Sequence, residues 1–261
     1  MGNSCCKTGR ELKKLRGQLE SKSNESEVSL NDFEVEGVVG EGGSGKVYKV
    51  RKKESGGVYA MKVIKKKDIK CMMDYRTVLR ERLLLEELTS PYLTKLMYAF
   101  QSSEELYMIT EYYEGGDLRS HLEENRFSEE EVQYIVGVLS VTLEYLHNHH
   151  IVYRDMKPEN VMMDGRGGLH VIDFGLCKEI EMKESGWSIG GTPSYMAPEV
   201  IEGKGYSYSV DWWSLGIMMW ELLTGKPPFE STNPRELYKE ILVGRLEKPS
   251  FMSVSISCKE A

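Results

Sequence analysis

From Asn31 onward the chain opens with short runs in which apolar and polar residues alternate, the two-residue period of a strand with one buried face. "DFEVEGVVG" leads into a glycine-rich stretch, "KVYKVRKK" leaves it, Gly56-Gly57 makes a turn, and "VYAMKVIKK" follows. The period then changes. "SEEEVQYIVGVLSVTLEYLHN" repeats Val132, Ile135, Val136, Leu139, Leu143 and Leu146 at helical spacing, and Ser128 with Glu131 makes a capping-box pair at its start. "SVDWWSLGIMMWELLTG" is apolar nearly all round, which predicts a helix buried inside a lobe and stopped at Gly225 ahead of Pro227. "NPRELYKEILVG" has Asn233, Pro234 and Glu236 as start signals and Gly244 as its stop. A mainly β segment ahead of a mainly helical one predicts an α+β, bilobal domain. Its small antiparallel β-rich lobe covers about 33–113 and its larger helical lobe 114–261.

Composition changes this picture little. A chain of 261 residues with 40% hydrophobic and 10% aromatic residues can bury one or two ordinary cores. A net charge of -7 argues against a nucleic-acid partner. The most continuous apolar run, "WWSLGIMMWELL", is broken by Ser214 and Glu221, so no membrane span is expected. Cys5, Cys6, Cys71, Cys177 and Cys258 are an odd number without metal-ligand spacing, which points to a reducing, cytoplasmic setting without a disulfide framework.

Residues 1–32 differ from all that follows: few large apolar residues and many Ser, Lys and Glu, a tail ahead of a domain. Gly2 after Met1 resembles an N-myristoylation start, with Cys6 where Ser or Thr is usual, and Cys5 and Cys6 offer sites for a second acyl chain. One myristoyl chain holds a protein only marginally, so a second signal is needed. Lys7, Arg10, Lys13, Lys14 and Arg16 against Glu11 also form a basic patch, each basic group worth roughly 1 kcal/mol beside anionic lipid. The tail predicts anchoring on the cytoplasmic face of a membrane. The alternative is an exposed charged tail whose cysteines are incidental.

The glycine-rich stretch "GEGGSGKVY", residues 40–48, fits three phosphate-binding patterns. A dinucleotide fingerprint or a Walker A loop needs a helix directly after the glycines, because the helix amino terminus receives the phosphate. Here a β-branched and aromatic run follows. Walker A also needs Ser or Thr after its Lys to hold magnesium, and this chain has Val47. The remaining reading is a hairpin whose glycines bring backbone amides to ATP phosphates. Four further motifs follow in order: "YAMKV", "YRDMKPEN" at 153–160, "DFG" at 173–175 and "APE" at 197–199.

With these five motifs the chain, from about Phe33 to its end, resembles a eukaryotic Ser/Thr protein kinase of the AGC group. The resemblance implies a role for each matched residue, as in the general scheme for phosphoryl transfer. Val39, Gly40, Glu41, Gly42, Gly43, Ser44, Gly45, Lys46 and Val47 would cover ATP, with Lys46 an ordinary member of the loop. Lys62 would hold the α and β phosphates, oriented by Glu81. Val47 and Ala60 would lie against adenine, Thr110 would be the gatekeeper, and the backbone of Glu111 and Tyr113 would bond the adenine edge. Asp155 would accept the substrate hydroxyl proton, Lys157 would steady the γ-phosphate, and Asn160 with Asp173 would bind Mg2+. Leu85, Leu96, Tyr153 and Phe174 resemble an apolar spine.

Lys157 and Thr192 match the Ser/Thr rather than the Tyr pattern, so protein substrates with Ser or Thr acceptors are expected. Asp117, Glu159 and Glu221 align with carboxylates that bind Arg two or three residues before the acceptor. The alternative is that these acids serve the fold or the ATP ribose. Ser188 occupies the activation-loop phosphosite, which implies an upstream activating kinase, with Arg154 and Lys178 as phosphate partners. Cys177 reads as packing. The sequence stops short of the family's final helices. Glu199 would therefore be a buried acid without its usual Arg, and a second reading stands beside the active kinase: a truncated nucleotide-binding or decoy module.

Overall fold

The computed structural model describes residues 28–42, 45–69, 72–180 and 190–246, and the chain divides into two compact units. One runs to Thr89 and includes Thr94–Tyr112; the other comprises Ser90–Leu93 and the chain from Tyr113 onward.

In the first unit β1 (Phe33–Gly42), β2 (Gly45–Lys52), β3 (Val58–Lys65), β4 (Leu96–Gln101) and β5 (Glu105–Glu111) make one antiparallel sheet, ordered β1-β2-β3-β5-β4. The turn expected at Gly56-Gly57 closes through Lys52 N–H to the Gly57 carbonyl and Gly56 N–H to the Lys52 carbonyl, both 2.8 Å. One face of the sheet holds the core: Phe33, Val50, Met61, Val63, Tyr107 and Ile109, flanked by Tyr59, Tyr98 and Phe100. Phe33 anchors it, its ring stacked on Phe100 at 6.1 Å and edge-on to Tyr98 at 5.8 Å. Successive strand residues point to opposite faces, so Ala60 and Lys62 lie opposite Met61 and Val63. Pairing carries that second face across the sheet, Gly40 with Val47, Val47 with Lys62, and Ala60 with Thr110. Helix α1 (Met72–Glu87) packs beside β4 and buries Tyr75, Glu81, Leu84 and Leu85.

The second unit is mainly helical: α2 (Leu118–Glu124), α3 (Glu129–Asn148), α4 (Pro198–Glu202), α5 (Ser209–Thr224) and α6 (Pro234–Val243). Helix α3 begins as the sequence predicts. The Ser128 hydroxyl accepts from Glu131 N–H at 3.3 Å, and the Glu131 carboxylate accepts from Ser128 N–H at 2.7 Å. Its predicted stripe is buried at Val132, Ile135, Leu139, Leu143 and Leu146, each worth about 1.5–3 kcal/mol, and α3 packs on α5. Helix α5 stops at Gly225, whose φ of +83° is the left-handed conformation that side chains resist. Helix α6 starts with the Asn233 side chain accepting from Arg235 N–H at 3.0 Å and ends at Gly244. The burial of α5 is less complete than its apolar sequence predicts, since Trp212 is 44% exposed, and its first turn carries an acid, Asp211, with no exposure at all.

Two short antiparallel pairs complete this unit, β6 (Ile151–Val152) with β9 (Lys178–Glu179) and β7 (Val161–Met163) with β8 (Leu169–Val171). Ser90–Leu93 joins it by backbone pairing, with Val171 N–H donating to the Tyr92 carbonyl at 2.8 Å and Leu93 bridging Val171.

Candidate active site

The second face of the small sheet collects the predicted nucleotide residues of that unit. Lys62 on β3 lies across the sheet from Val47 and one step from Ala60, and its ammonium reaches Glu81 on α1 at 2.5 Å. The pair is shielded: the Lys62 side chain is 14% exposed and that of Glu81 5%. A buried acid on a helix facing a largely shielded Lys on a strand fixes where the ammonium sits. Thr110 pairs with Ala60 on the same face, and Glu111, at the end of β5, gives its N–H to the Lys95 carbonyl at 3.2 Å.

At the glycine hairpin, Val39 lies at a β1 irregularity between Val38 and Gly40 and is half exposed. Gly45 has φ +131°, and a Cβ there would meet the Val63 carbonyl at 2.4 Å, so no other residue fits this backbone. Gly42 pairs with Gly45 across the hairpin, whereas Gly43 and Ser44 lie outside the described residues. Lys46, which resembles the Walker lysine, forms a surface ion pair with Glu41 at 3.1 Å, in contrast to the shielded Lys62–Glu81 pair.

In the helical unit three predicted groups converge on one carboxylate. Asp155 is 7% exposed. It meets the Lys157 ammonium at 2.7 Å, accepts from the Thr192 hydroxyl at 2.8 Å, and accepts from the Asn160 amide at 2.9 Å. The Lys157 ammonium also donates to Thr192 at 2.9 Å. The Asn160 amide nitrogen makes a second bond to the Asp155 carbonyl at 2.8 Å, so its donors serve Asp155 and its side-chain oxygen is left as the acceptor. Ile172 N–H donates to the Asn160 carbonyl at 2.9 Å, which brings the neighbouring Asp173 beside Asn160. The Asp173 carboxylate accepts from Gly175 N–H at 3.0 Å and its φ is +58°. An amide oxygen and a carboxylate are the hard donors Mg2+ prefers, so the two residues fit that ion. Among the described residues no cluster of three or more His, Cys, Asp or Glu could hold a metal unaided.

What holds this loop is a residue the motif reading passed over. Asp211, wholly buried in α5, accepts from Tyr153 N–H at 2.9 Å, from Arg154 N–H at 2.7 Å and bonds His147 at 2.8 Å. Arg154 has φ +69°, a conformation costly for a non-glycine, and Asp211 offsets that cost next to Asp155. An acid inside the apolar run "SVDWWSLGIMMW" was the available signal. Tyr153 is fully buried and burial pushes its phenol well above the ordinary value, while its hydroxyl donates to the Ile172 carbonyl. Its ring meets Phe174 edge-on at 6.0 Å. Leu85 is buried on α1 and Leu96 opens β4. Tyr113 is buried with its ring stacked on His170 at 4.2 Å.

The expected phosphate partners meet at one aromatic ring. Arg154 lies over Tyr206 at 5.6 Å and donates to its hydroxyl at 2.5 Å, and the Lys178 ammonium lies 5.7 Å from the same ring. Ser188 itself, with Gly2, Cys5 and Cys6, is outside the described residues. Cys177 is a buried thiol, as its packing reading implies. Glu199 departs from expectation. It is only partly buried and accepts from the Ser209 hydroxyl at 3.1 Å, because it opens α4 beside the start of α5.

The three acids of the substrate reading are all engaged. Asp117 caps α2, accepting from Ser120 N–H at 2.9 Å and its hydroxyl at 3.0 Å, a fold role that the alternative reading allows. Glu159 and Glu221 share one cation, Arg119, at 2.9 and 2.7 Å. Neither Arg119 nor its third partner, Tyr195, carries a motif signal.

The chain matches the protein kinase domain family over residues 33–259. It is 42% identical over 242 residues to a RAC family serine/threonine-protein kinase homolog of Dictyostelium discoideum, covering 92% of this chain and 54% of that protein. It is 44% identical over 232 residues to ribosomal protein S6 kinase beta of Caenorhabditis elegans, covering 87% and 42%. It is 41% identical over 247 residues to ribosomal protein S6 kinase alpha-1 of Homo sapiens, covering 93% and 34%. The chain thus spans about half the length, or less, of these relatives.

Proposed function

The chain belongs to the protein kinase family, and on that premise we propose that it transfers the γ-phosphoryl group of ATP to Ser and Thr hydroxyls of protein substrates. The observation that carries the proposal is the convergence of Lys157, Asn160 and Thr192 on the Asp155 carboxylate. In this reading Asp155 orients the acceptor hydroxyl and takes its proton as oxygen attacks phosphorus and the bond to the ADP oxygen breaks. Lys157 holds the transferring group in line, and Thr192 fixes both side chains. Lys62, aimed by Glu81, steadies the α and β phosphates, and the hairpin through Gly40, Gly42 and Gly45 covers them with backbone amides. Asn160 and Asp173 hold Mg2+, which neutralises phosphate charge when bound. The positioning is electrostatic, the kind of assistance this reaction uses.

Relatives named serine/threonine-protein kinases support the acceptor class. Phosphorylation of Ser188 by an upstream kinase, answered by Arg154 and Lys178, and anchoring by acylation at Gly2 with Cys5 or Cys6 are further parts of the proposal, supported by sequence alone. No helix among the described residues is long and apolar enough to cross a membrane.

The test is phosphate transfer from Mg-ATP by residues 1–261 to Ser, Thr and Tyr peptides, beside Asp155→Asn. The expected result is transfer to Ser and Thr and a loss of about 10²–10⁴ in rate in the variant. Equal rates would reject Asp155 as the base, and silence of both chains, with nucleotide still bound, would leave the decoy reading.

A further inference from the structure

Beside the Asp155 cluster lies a second charged group that the proposed reaction does not use. Glu159 is two residues after Lys157, and Tyr195 is three residues after Thr192, so both come from the segments that build the catalytic cluster. Into this spot α2 sends Arg119. Its Nε donates to Glu159 at 2.9 Å, one terminal nitrogen to Glu221 at 2.7 Å, and the other to the Tyr195 hydroxyl at 2.9 Å. Tyr195 in turn donates to the other oxygen of Glu221. Glu221 is 2% exposed, Arg119 25% and Glu159 43%, so the group is sealed at the α5 end and open at Glu159.

By the family resemblance Glu159 and Glu221 align with carboxylates that receive a substrate arginine, and guanidinium is the best geometric match to a carboxylate. Here the receptor is already filled from within the chain. Burial alone would lower the Arg119 pKa, but the bonds to Glu221 and Glu159 outweigh it and hold the guanidinium charged. Both Glu221 oxygens are engaged, and one guanidinium offsets half the charge of the two acids. A substrate arginine arriving from solvent meets the half-exposed Glu159 but must displace a residue held by three partners to reach Glu221.

We propose that Arg119 is an internal surrogate for a substrate arginine: a specificity-determining residue that occupies the Glu159–Glu221 receptor and so suppresses selection for Arg upstream of the acceptor. This rests on the kinase reading for its meaning, since the receptor matters only where a peptide docks. Arginine selectivity is therefore latent in this chain. Removing the guanidinium exposes it.

The experiment reads binding, so that it does not depend on turnover. A fluorescent peptide with Arg two and three residues before an Ala in the acceptor position, and its twin with Ala for both arginines, are titrated against the full chain by anisotropy. In wild type the affinity ratio of the two peptides is expected to be small. In Arg119→Met it rises by about tenfold or more, the worth of one charge-assisted hydrogen bond, and in Arg119→Met with Glu159→Gln the gain falls away. Arg119→Lys keeps a charge beside Glu221 but loses the fork, so it remains testable if the Met variant does not fold, and its ratio rises severalfold. A ratio that is already high in wild type, or that stays unchanged in folded Arg119→Met or Arg119→Lys, overturns the proposal. Loss of phosphate transfer in every chain, with the ratios behaving as described, would instead count against the kinase reading and leave the receptor standing.

Discussion

Lys62 and Asp155 are both ionisable groups shielded from water, and they reach their places by different means. Lys62 stands in a regular strand. Its face is set by two-residue alternation, its neighbours Val47 and Ala60 by register, and the Glu81 carboxylate on a helix meets its tip. Asp155 stands in a loop where regular structure gives out: Arg154 before it and Asp173 beyond it have positive φ, and each is held against its own preference. The sheet places a side chain through many weak, redundant backbone pairings. The loop depends on a few strong contacts from far along the chain, above all the Asp211 carboxylate. Damage should accordingly be local in the first unit and widespread in the second.

The sharpest way to break that contrast is Asp211→Ala. The change strands the N–H groups of Tyr153 and Arg154 and the His147 ring in a buried place, which is expected to cost about 3–5 kcal/mol and to take phosphate transfer with it. Denaturant midpoints with and without the substitution measure the cost. A variant with wild-type midpoint would mean that the Arg154 conformation needs no outside support.

Lys62→Ala should do the opposite, lowering kcat/KM about 10²-fold through lost phosphate positioning while the sheet, paired on both sides of β3, keeps its fold. Circular dichroism on heating and steady-state rates separate the two effects. Should the protein unfold instead, the strand would be less self-sufficient than its register implies.

This difference also decides what could be read from the sequence. Alternation and hairpin register are local, so β1, β2 and β3 follow from a few residues, and so do α3, α5 and α6 with their stop signals, whereas Val47, Ala60 and Thr110 were named only through the resemblance and share a face with Lys62 through strand pairing. Asp155, Asn160 and Asp173 were legible only through their motifs. Asp211 was legible only as an acid out of place in an apolar run; that it meets His147, 64 residues away, and that Arg119 meets Glu221, 102 residues away, was not, because no local pattern links residues that the fold alone brings together. Positive φ at Arg154 and Asp173 leaves no signal either, since neither residue is glycine. The acids Glu159 and Glu221 were visible as charges, but that they face Arg119 was not.

Gly45→Ala tests the redundancy of the sheet at its weakest point. At φ +131° an alanine is strained, and its Cβ would press on the Val63 carbonyl of the neighbouring strand, so a cost of about 1–3 kcal/mol is expected in stability, with weaker nucleotide binding. Gly40→Ala is the control, because a Cβ there finds only ordinary contact with Val47 at 3.8 Å. Equal effects at the two positions would show that loop flexibility, rather than the Gly45 conformation, is what the hairpin requires.

The smallest effect belongs to the residue that looks most suggestive in sequence. Lys46 follows the last glycine of the hairpin in the position of a Walker lysine, yet its charge pairs with Glu41 at the surface, where the two side chains are 43% and 64% exposed. Water competes for both groups there, and exposed pairs of this kind contribute roughly 0–1 kcal/mol. Lys62 and Glu81 have the same chemistry in a shielded place, so the difference between the two lysines is one of environment alone. Lys46→Ala is therefore expected to stay within about 0.5 kcal/mol of wild type in stability and to keep most of its rate. Rates measured in low and high salt check this, because an exposed pair weakens with screening. A large loss in Lys46→Ala, beside a tolerated Lys62→Ala, would move the phosphate-binding role from the face of the sheet to the hairpin itself.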